Sequence, residues 1–303
     1  GWCMADYNTH REFGSGDRIC YHGVLDMFRN PKLSAAVYAS QKTPRSPSDI
    51  VLEVSSSMAL GDHPGGFAGA CWVFTNAESV RLYRGNDFIA EFTPDRRGRF
   101  AALPHPPIEV QDFVGSLLEK YEGLDPVAAP QVAAILNEMR RDALALSPLS
   151  RARLLSLRLG WNDLLRMYYK YIGVLGSPSS VYRFEAVWHG RAVRTVVKEP
   201  VQSVRLECTV LNPLLTDGPT WDCAAVSLRA IDQNGNLLPY CGEAVQLSVE
   251  GPVKILGPSV VPLRGGMAGT YLATTGEAGR AVLHCKMEGA LDTEAALTVR
   301  KRG

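Results

Sequence analysis

The chain has no excess of charge of either sign: 32 Lys and Arg stand against 31 Asp and Glu, a formal net charge of +1. Such a balance leaves no electrostatic footprint for nucleic acid or for an anionic membrane surface, and it disfavours both as partners. No apolar run approaches the roughly 20 residues that span a bilayer. The opening residues Gly1-Trp2-Cys3-Met4 lack a basic stretch followed by an apolar one, so no signal peptide is expected in them. An export signal lying upstream of Gly1 would change that reading. The seven cysteines are scattered and include no C-x-x-C pair, which removes the usual zinc and thioredoxin-like spacings. Free thiols in a reducing cytoplasm are the expectation.

Ligand and cofactor motifs are equally scarce. Of the six histidines, His10 and His22 alone approach ligand spacing, and no fixed third ligand accompanies them. Gly14-Ser15-Gly16 lacks the third glycine and the strand-to-helix setting of a dinucleotide loop. No Gly-x-Ser-x-Gly nucleophile elbow occurs. Neither a metal nor a cofactor is expected.

What is present is an ordinary globular composition, 46% hydrophobic and 21% charged, in 303 residues. That length predicts two or three domains. Residues 31–41 read as a short helix, with Pro31 suited to a first helical turn and Leu33, Ala36, Val37 and Ser40 at helical spacing. The Pro- and Ser-rich residues 42–49 are the clearest boundary in the chain. Beyond them the period falls to two: Ile50, Leu52 and Val54 alternate, and short runs carrying Val80, Leu82, Phe88 and Phe92 are broken by turn residues.

Pro104-His105-Pro106-Pro107 interrupts this β pattern. Val110, Phe113, Val114, Leu117, Leu118 and Tyr121 then follow a helical period, as do Val132, Ile135, Leu136 and Met139. Ser147-Pro148 predicts an N-cap and first turn for a helix over 149–159, and Trp161–Tyr171 a fourth helix. Together these predict a small helical bundle, inserted before a hairpin over 181–198 that turns at His189-Gly190. In the last hundred residues Val226, Leu228 and Ala230 alternate ahead of the turn Gln233-Asn234-Gly235-Asn236, which predicts a second sandwich. Trp72, Trp161, Trp188 and Trp221 lie in apolar patterns and are expected in cores.

Trp2-Cys3-Met4-Ala5-Asp6-Tyr7-Asn8, then Tyr21-His22-Gly23-Val24-Leu25-Asp26 and Arg29-Asn30-Pro31-Lys32, resemble the C-terminal barrel segment of glycoside hydrolase family 2, closest to its bacterial β-galactosidases. Residues 71–92 resemble that family's immunoglobulin-like module, and the stretches around Asn234-Gly235 and Gly276-Glu277-Ala278-Gly279 its C-terminal module. The resemblance implies a mainly β fold with an α-helical insertion: the terminal fragment of a (β/α)8 barrel over 1–42, one immunoglobulin-like β-sandwich over 49–105 plus 180–200, the helical insertion over 106–178, and a second sandwich over 201–303. It implies a β-galactoside or oligosaccharide substrate, with the upstream half of the same polypeptide as partner and a homo-oligomer as a further option.

Retaining glycosidases work with two carboxyl groups about 5–5.5 Å apart. The first 41 residues contain only Asp6, Glu12, Asp17 and Asp26, whereas in family 2 both groups are glutamates on earlier strands. No catalytic residue is therefore expected in this chain, which alone should be inactive. The expected substrate-binding residues are Trp2, Asp6, Asn8 and His22. By resemblance, Trp2 matches the strand-end tryptophan under the terminal sugar; a core position closing the barrel is its other role. Asp6 and Asn8 suit either hydroxyl binding or bracing. His22 occupies the place of an asparagine near the sugar C6 hydroxyl, and its mostly neutral imidazole makes a poor uronate clamp. The missing asparagine removes support for a monovalent-cation site. The alternative is a set of non-catalytic sandwich modules for carbohydrate binding or oligomer scaffolding, or a family 2 hydrolase of another neutral β-glycoside.

Overall fold

The computed structural model describes residues 3–9, 18–56, 69–173 and 180–302, and statements of absence below refer to those residues. The chain forms two compact units, residues 1–35 with 201–303 and residues 36–200. The first opens with β1 (Cys3–Ala5), β2 (Tyr7–Asn8), β3 (Ile19–Cys20) and β4 (Gly23–Leu25). β1 and β4 run parallel, with Cys3 opposite Gly23 and Ala5 opposite Leu25, while β2 and β3 are antiparallel. Helix α1 (Leu33–Ala39) follows; it begins two residues later than predicted, because Pro31 pairs with Leu25 in an isolated bridge instead of opening the helix.

In the unit of residues 36–200, β5 (Leu52–Val54), β6 (Trp72–Thr75) and β9 (Ile108–Glu109) form one sheet. The other contains β7 (Ser79–Arg84), β8 (Asp87–Phe92), β10 (Tyr182–Trp188) and β11 (Arg191–Lys198) in the order β11-β10-β7-β8. Leu82 lies opposite Phe184 and Val80 opposite Ala186, so strands about a hundred residues apart share one ladder. Between β9 and β10 come α2 (Leu117–Glu122), α3 (Ala128–Arg141), α4 (Pro148–Ser156) and α5 (Trp161–Tyr171).

These helices do not enclose a separate bundle core. The buried stripe Val132, Ile135, Leu136 and Met139 of α3 and Leu164, Met167 and Tyr168 of α5 belong to one continuous cluster with Leu52, Val73, Leu82 and Phe184 of the sheets. Phe113 meets Tyr182 edge to face, with ring centroids 5.8 Å apart. Two helix boundaries also differ from the periodicity. Residues 110–114 are not helical: the Asp112 carboxylate accepts from the N–H groups of Val114 (2.8 Å) and Gly115 (3.1 Å), and Asn137 accepts from that of Phe113 (3.0 Å). Gly115 sits at φ +52, and a Cβ there would press on the backbone of Ile89. Local side-chain bonding and a left-handed residue thus delay α2 to Leu117. Helix α4 starts as its signals predict, Ser147 accepting from the N–H of Ser150 at 3.2 Å with Pro148 in the first turn, but it stops at Ser156, ahead of Arg158 at φ +52.

The remaining strands are β12 (Arg205–Val210), β13 (Leu214–Asp217), β14 (Cys223–Ile231), β15 (Ala244–Glu250), β16 (Val253–Leu256), β17 (Val260–Pro262), β18 (Met267–Thr274), β19 (Gly279–Met287) and β20 (Thr293–Lys301). They form two sheets, ordered β12-β14-β18-β16 and β13-β20-β19-β15-β17. Inward residues of both, among them Leu206, Val226, Leu228, Leu247, Leu283 and Leu297, make one core. The turn at 232–236 closes on Asp232, whose carboxylate accepts from the N–H groups of Asn234 and Asn236 at 2.9 and 2.8 Å while Gly235 takes φ +80. None of the four tryptophans expected in cores is fully buried. Trp72 and Trp188 are half-buried, and Trp161 and Trp221 are 49% and 62% exposed.

Candidate functional site

The end of β1 delivers Asp6, and the parallel pairing with β4 sets Gly23 beside it. The N–H of Gly23 donates to Asp6 Oδ1 at 2.9 Å, while the N–H of Asp6 donates to the Leu25 carbonyl at 3.0 Å. A Cβ on residue 23 would collide with the backbone of Ala5, Asp6 and Leu25, so the close approach requires glycine. Lys32 completes the arrangement: its Nζ lies 2.7 Å from Asp6 Oδ1 and donates to the Tyr21 carbonyl at 3.2 Å. The Asp6 side chain is 2% exposed and that of Lys32 25%, an ion pair drawn largely out of water. Such a pair holds geometry; its loss on one side leaves an uncompensated charge.

A turn beside it is built on a second carboxylate. Asp26 Oδ1 accepts from the N–H groups of Phe28 and Asn30, both at 2.8 Å, and Oδ2 from Asn30 Nδ2 at 2.7 Å. Asn30, itself buried, donates to the Ala268 carbonyl at 2.9 Å and accepts from the Ser227 hydroxyl. Tyr271 donates to the Met27 carbonyl at 3.1 Å and packs against the Phe28 ring, and Arg264 donates to the Tyr21 hydroxyl. The turn is thereby fixed to β14 and β18 of the sandwich. Between them lies a cavity of about 360 Å³, with Asp6, Asn8, Tyr21 and Lys32 on its polar side and Leu256, Pro262 and Met267 on its apolar side.

The expected site residues fall differently within this frame. Trp2 lies outside the described residues, as do His10 and Glu12. Asp6 is buried, with one carboxylate oxygen shared by Gly23 and Lys32. Asn8 is exposed on β2 and lines the cavity. His22 is exposed and is not among the lining residues. The hydrogen bond between Tyr7 and Cys20, its neighbour across the β2–β3 pair, pushes the Tyr7 phenol up to about 12, so it remains protonated through neutral pH. Lys32, Asp26 and Asn30 belong to the stretches that carry the family resemblance, but the sequence assigns them no role in the site. The Asp26–Asn30 pair, four apart and close to a proline, was the available signal for a side-chain-bonded turn. Nothing local announced that Lys32 reaches back 26 residues to Asp6. Among the described residues no group of three or more His, Cys, Asp or Glu is placed to hold a metal ion.

No family model matches the chain. It is 30% identical over 269 residues to a β-galactosidase of Thermoanaerobacterium thermosulfurigenes, a match that takes in 88% of this chain and 30% of that protein. Among solved structures, a β-glycosidase from Bacteroides vulgatus superposes with a TM-score of 0.60 at 13% identity, covering 98% of this chain and 30% of the other. A glycosyl hydrolase family 2 member from Bacteroides cellulosilyticus superposes with a TM-score of 0.52 at 11% identity, covering 91% and 32%. The chain therefore spans about 30% of the length of these relatives.

Proposed function

We propose that this chain, a glycoside hydrolase family 2 segment by its match over most of its length to curated β-galactosidases and to family 2 folds, is the C-terminal portion of a retaining hydrolase of terminal β-galactosides. The 30% identity to a β-galactosidase over 88% of the chain carries this reading. In it, the catalytic glutamates belong to sequence upstream of Gly1. This chain contributes the final barrel strand and loop, together with the modules that support them. The parallel β1–β4 pair and the Asp6–Lys32 brace support the first of these roles, since adjacent strands of a (β/α)8 barrel run parallel and its site residues lie at strand ends.

The sugar-facing roles rest on the family resemblance. Trp2 would cover the apolar C–H face of galactose, and His22 would exchange a hydrogen bond with the C6 hydroxyl. Asn8 would present its amide to a hydroxyl. Asp6 is a positioning residue here, because its carboxylate is held by Gly23 and Lys32. A second reading, non-catalytic modules that hold glycans, draws on Trp221, 62% exposed on the C-terminal sandwich. The test is kcat/KM of the polypeptide extended upstream of Gly1 on nitrophenyl β-galactoside, β-glucoside and β-glucuronide, side by side. Preference for the galactoside is expected; preference for the glucuronide overturns the substrate assignment.

A further inference from the structure

Two thiols of the C-terminal sandwich face each other across its core. Cys208 lies on β12, the edge strand of one sheet, and Cys285 on β19, the central strand of the other. Their sulfurs are 3.5 Å apart although the residues are 77 apart in sequence. Cys208 stands with Leu206 and Val210 on the inward face of β12 and is half-buried, whereas Cys285 is 0% exposed. A disulfide has sulfurs about 2.05 Å apart, so side-chain rotation and a small approach of the edge strand would close the gap. We propose that Cys208 and Cys285 are a redox-responsive dithiol that closes into a disulfide joining the two sheets.

The asymmetry of the pair sets the order of events. The Cys285 thiol donates to Cys208 Sγ, which lowers the Cys208 thiol below its ordinary value, while the same bond and burial push Cys285 up. Cys208 is also the half-exposed member and sits on an edge strand, where an external reagent can reach it. The oxidant is a small-molecule disulfide, RSSR. The Cys208 thiolate attacks one sulfur of RSSR, an S–S bond breaks, and RS⁻ leaves to take up the proton that Cys208 lost. Cys285 then loses its proton and attacks the Cys208 sulfur of the mixed disulfide, expelling a second RS⁻, which takes up that proton. Two protein thiols are oxidised and one RSSR is reduced to two RSH.

Closure ties β12 to the centre of the opposite sheet. It constrains a long loop of the unfolded chain, which raises the thermal midpoint of the sandwich. None of this depends on the sugar-binding reading.

The test treats the 303-residue chain with oxidised glutathione and follows it by non-reducing peptide mapping, thiol titration and thermal unfolding. The expected result is a Cys208–Cys285 cross-linked peptide, a fall from seven titratable thiols to five, and a midpoint raised on the order of 10 °C that dithiothreitol reverses. The variant Cys208→Ala, kept reduced, should unfold within a few degrees of the parent and lose the response to oxidant. A stable glutathione adduct on Cys208 with Cys285 still a thiol overturns the proposal. So does oxidation that cross-links other cysteines instead, or a Cys208→Ala protein that still gains stability on oxidation.

Discussion

Asp6 is fixed by partners within its own chain. Its carboxylate is withdrawn from water and matched by an ammonium group and a backbone N–H, so removing the ammonium leaves a buried charge with one remaining donor. Lys32→Met should destabilise the unit of residues 1–35 and 201–303 by about 2–3 kcal/mol, somewhat below the 3–5 kcal/mol of a fully buried pair because Lys32 is partly exposed. Urea unfolding measures it, and a loss under about 0.5 kcal/mol would contradict the role given to the pair. His22 calls for a different readout. If His22 faces C6 as proposed, His22→Lys in the polypeptide extended upstream of Gly1 removes an acceptor for the C6 hydroxyl and introduces a cation suited to a uronate. Losing one hydrogen bond and stranding its partner predicts roughly 10- to 100-fold lower kcat/KM on galactosides, with relative gain on glucuronides. Equal losses on galactosides and on the 6-deoxy sugar fucose would return His22 to a structural part. Trp2→Ala should instead impair all these glycosides alike, since a stacking face does not read C6.

At the scale of elements, helix starts and stops are decided by a few backbone positions. Gly115 lies at φ +52 against the Ile89 backbone, so Gly115→Ala combines strain with a clash and should cost about 1–3 kcal/mol in thermal or urea unfolding. Helices α2 and α5 are joined by Glu122, which accepts from Lys170 Nζ at 2.6 Å, Tyr171 at 2.8 Å and Arg166 at 3.0 Å. Lys170 above all, with Tyr171 and Arg166, draws the Glu122 carboxyl down from 4.5 to about 2. A depressed carboxyl stabilises the fold above its unfolded pKa and loses that contribution as pH falls through the folded one. Stability supplied by this cluster should therefore decline between about pH 4.5 and pH 2, and Glu122→Gln should flatten that part of the profile. An unchanged slope in the variant would show that the cluster adds nothing.

Regular elements were legible in the sequence wherever one strong period ran to a punctuating residue. The stripe of Leu164, Tyr168 and their neighbours marks α5 from Trp161 to Tyr171, and alternation at Val226, Leu228 and Ala230 marks β14. The period misled at Val110–Val114, where burial without helix is imposed by Asp112, Asn137 and Gly115, contacts that couple residues up to 25 apart. Trp161 and Trp221 were assigned to cores from apolar neighbours, but an apolar neighbourhood in sequence does not say which side of a helix start or loop faces solvent. The site was less legible than the fold. Gly23 and Lys32 matter through distant backbone and carboxylate partners, and neither relation has a local pattern.

For the molecule as a whole, the two units differ in what they can explain. The unit of residues 36–200 welds sheets and helices into one core, which suits a support. The other joins the β1–β4 segment to the sandwich through Asn30, Tyr271 and Arg264. It is the part that would carry a sugar-binding wall into a larger barrel. On the proposed reading such a wall brings neither nucleophile nor acid of its own, and both are needed for retaining hydrolysis. The most direct measurement is turnover of nitrophenyl β-galactoside by the 303-residue chain alone and by the polypeptide extended upstream of Gly1, at equal molar concentration. Hydrolysis by the longer polypeptide and none by the chain alone is the predicted result. Turnover by the chain alone that survives Glu12→Gln, or no β-galactoside hydrolysis by the longer polypeptide, would contradict it.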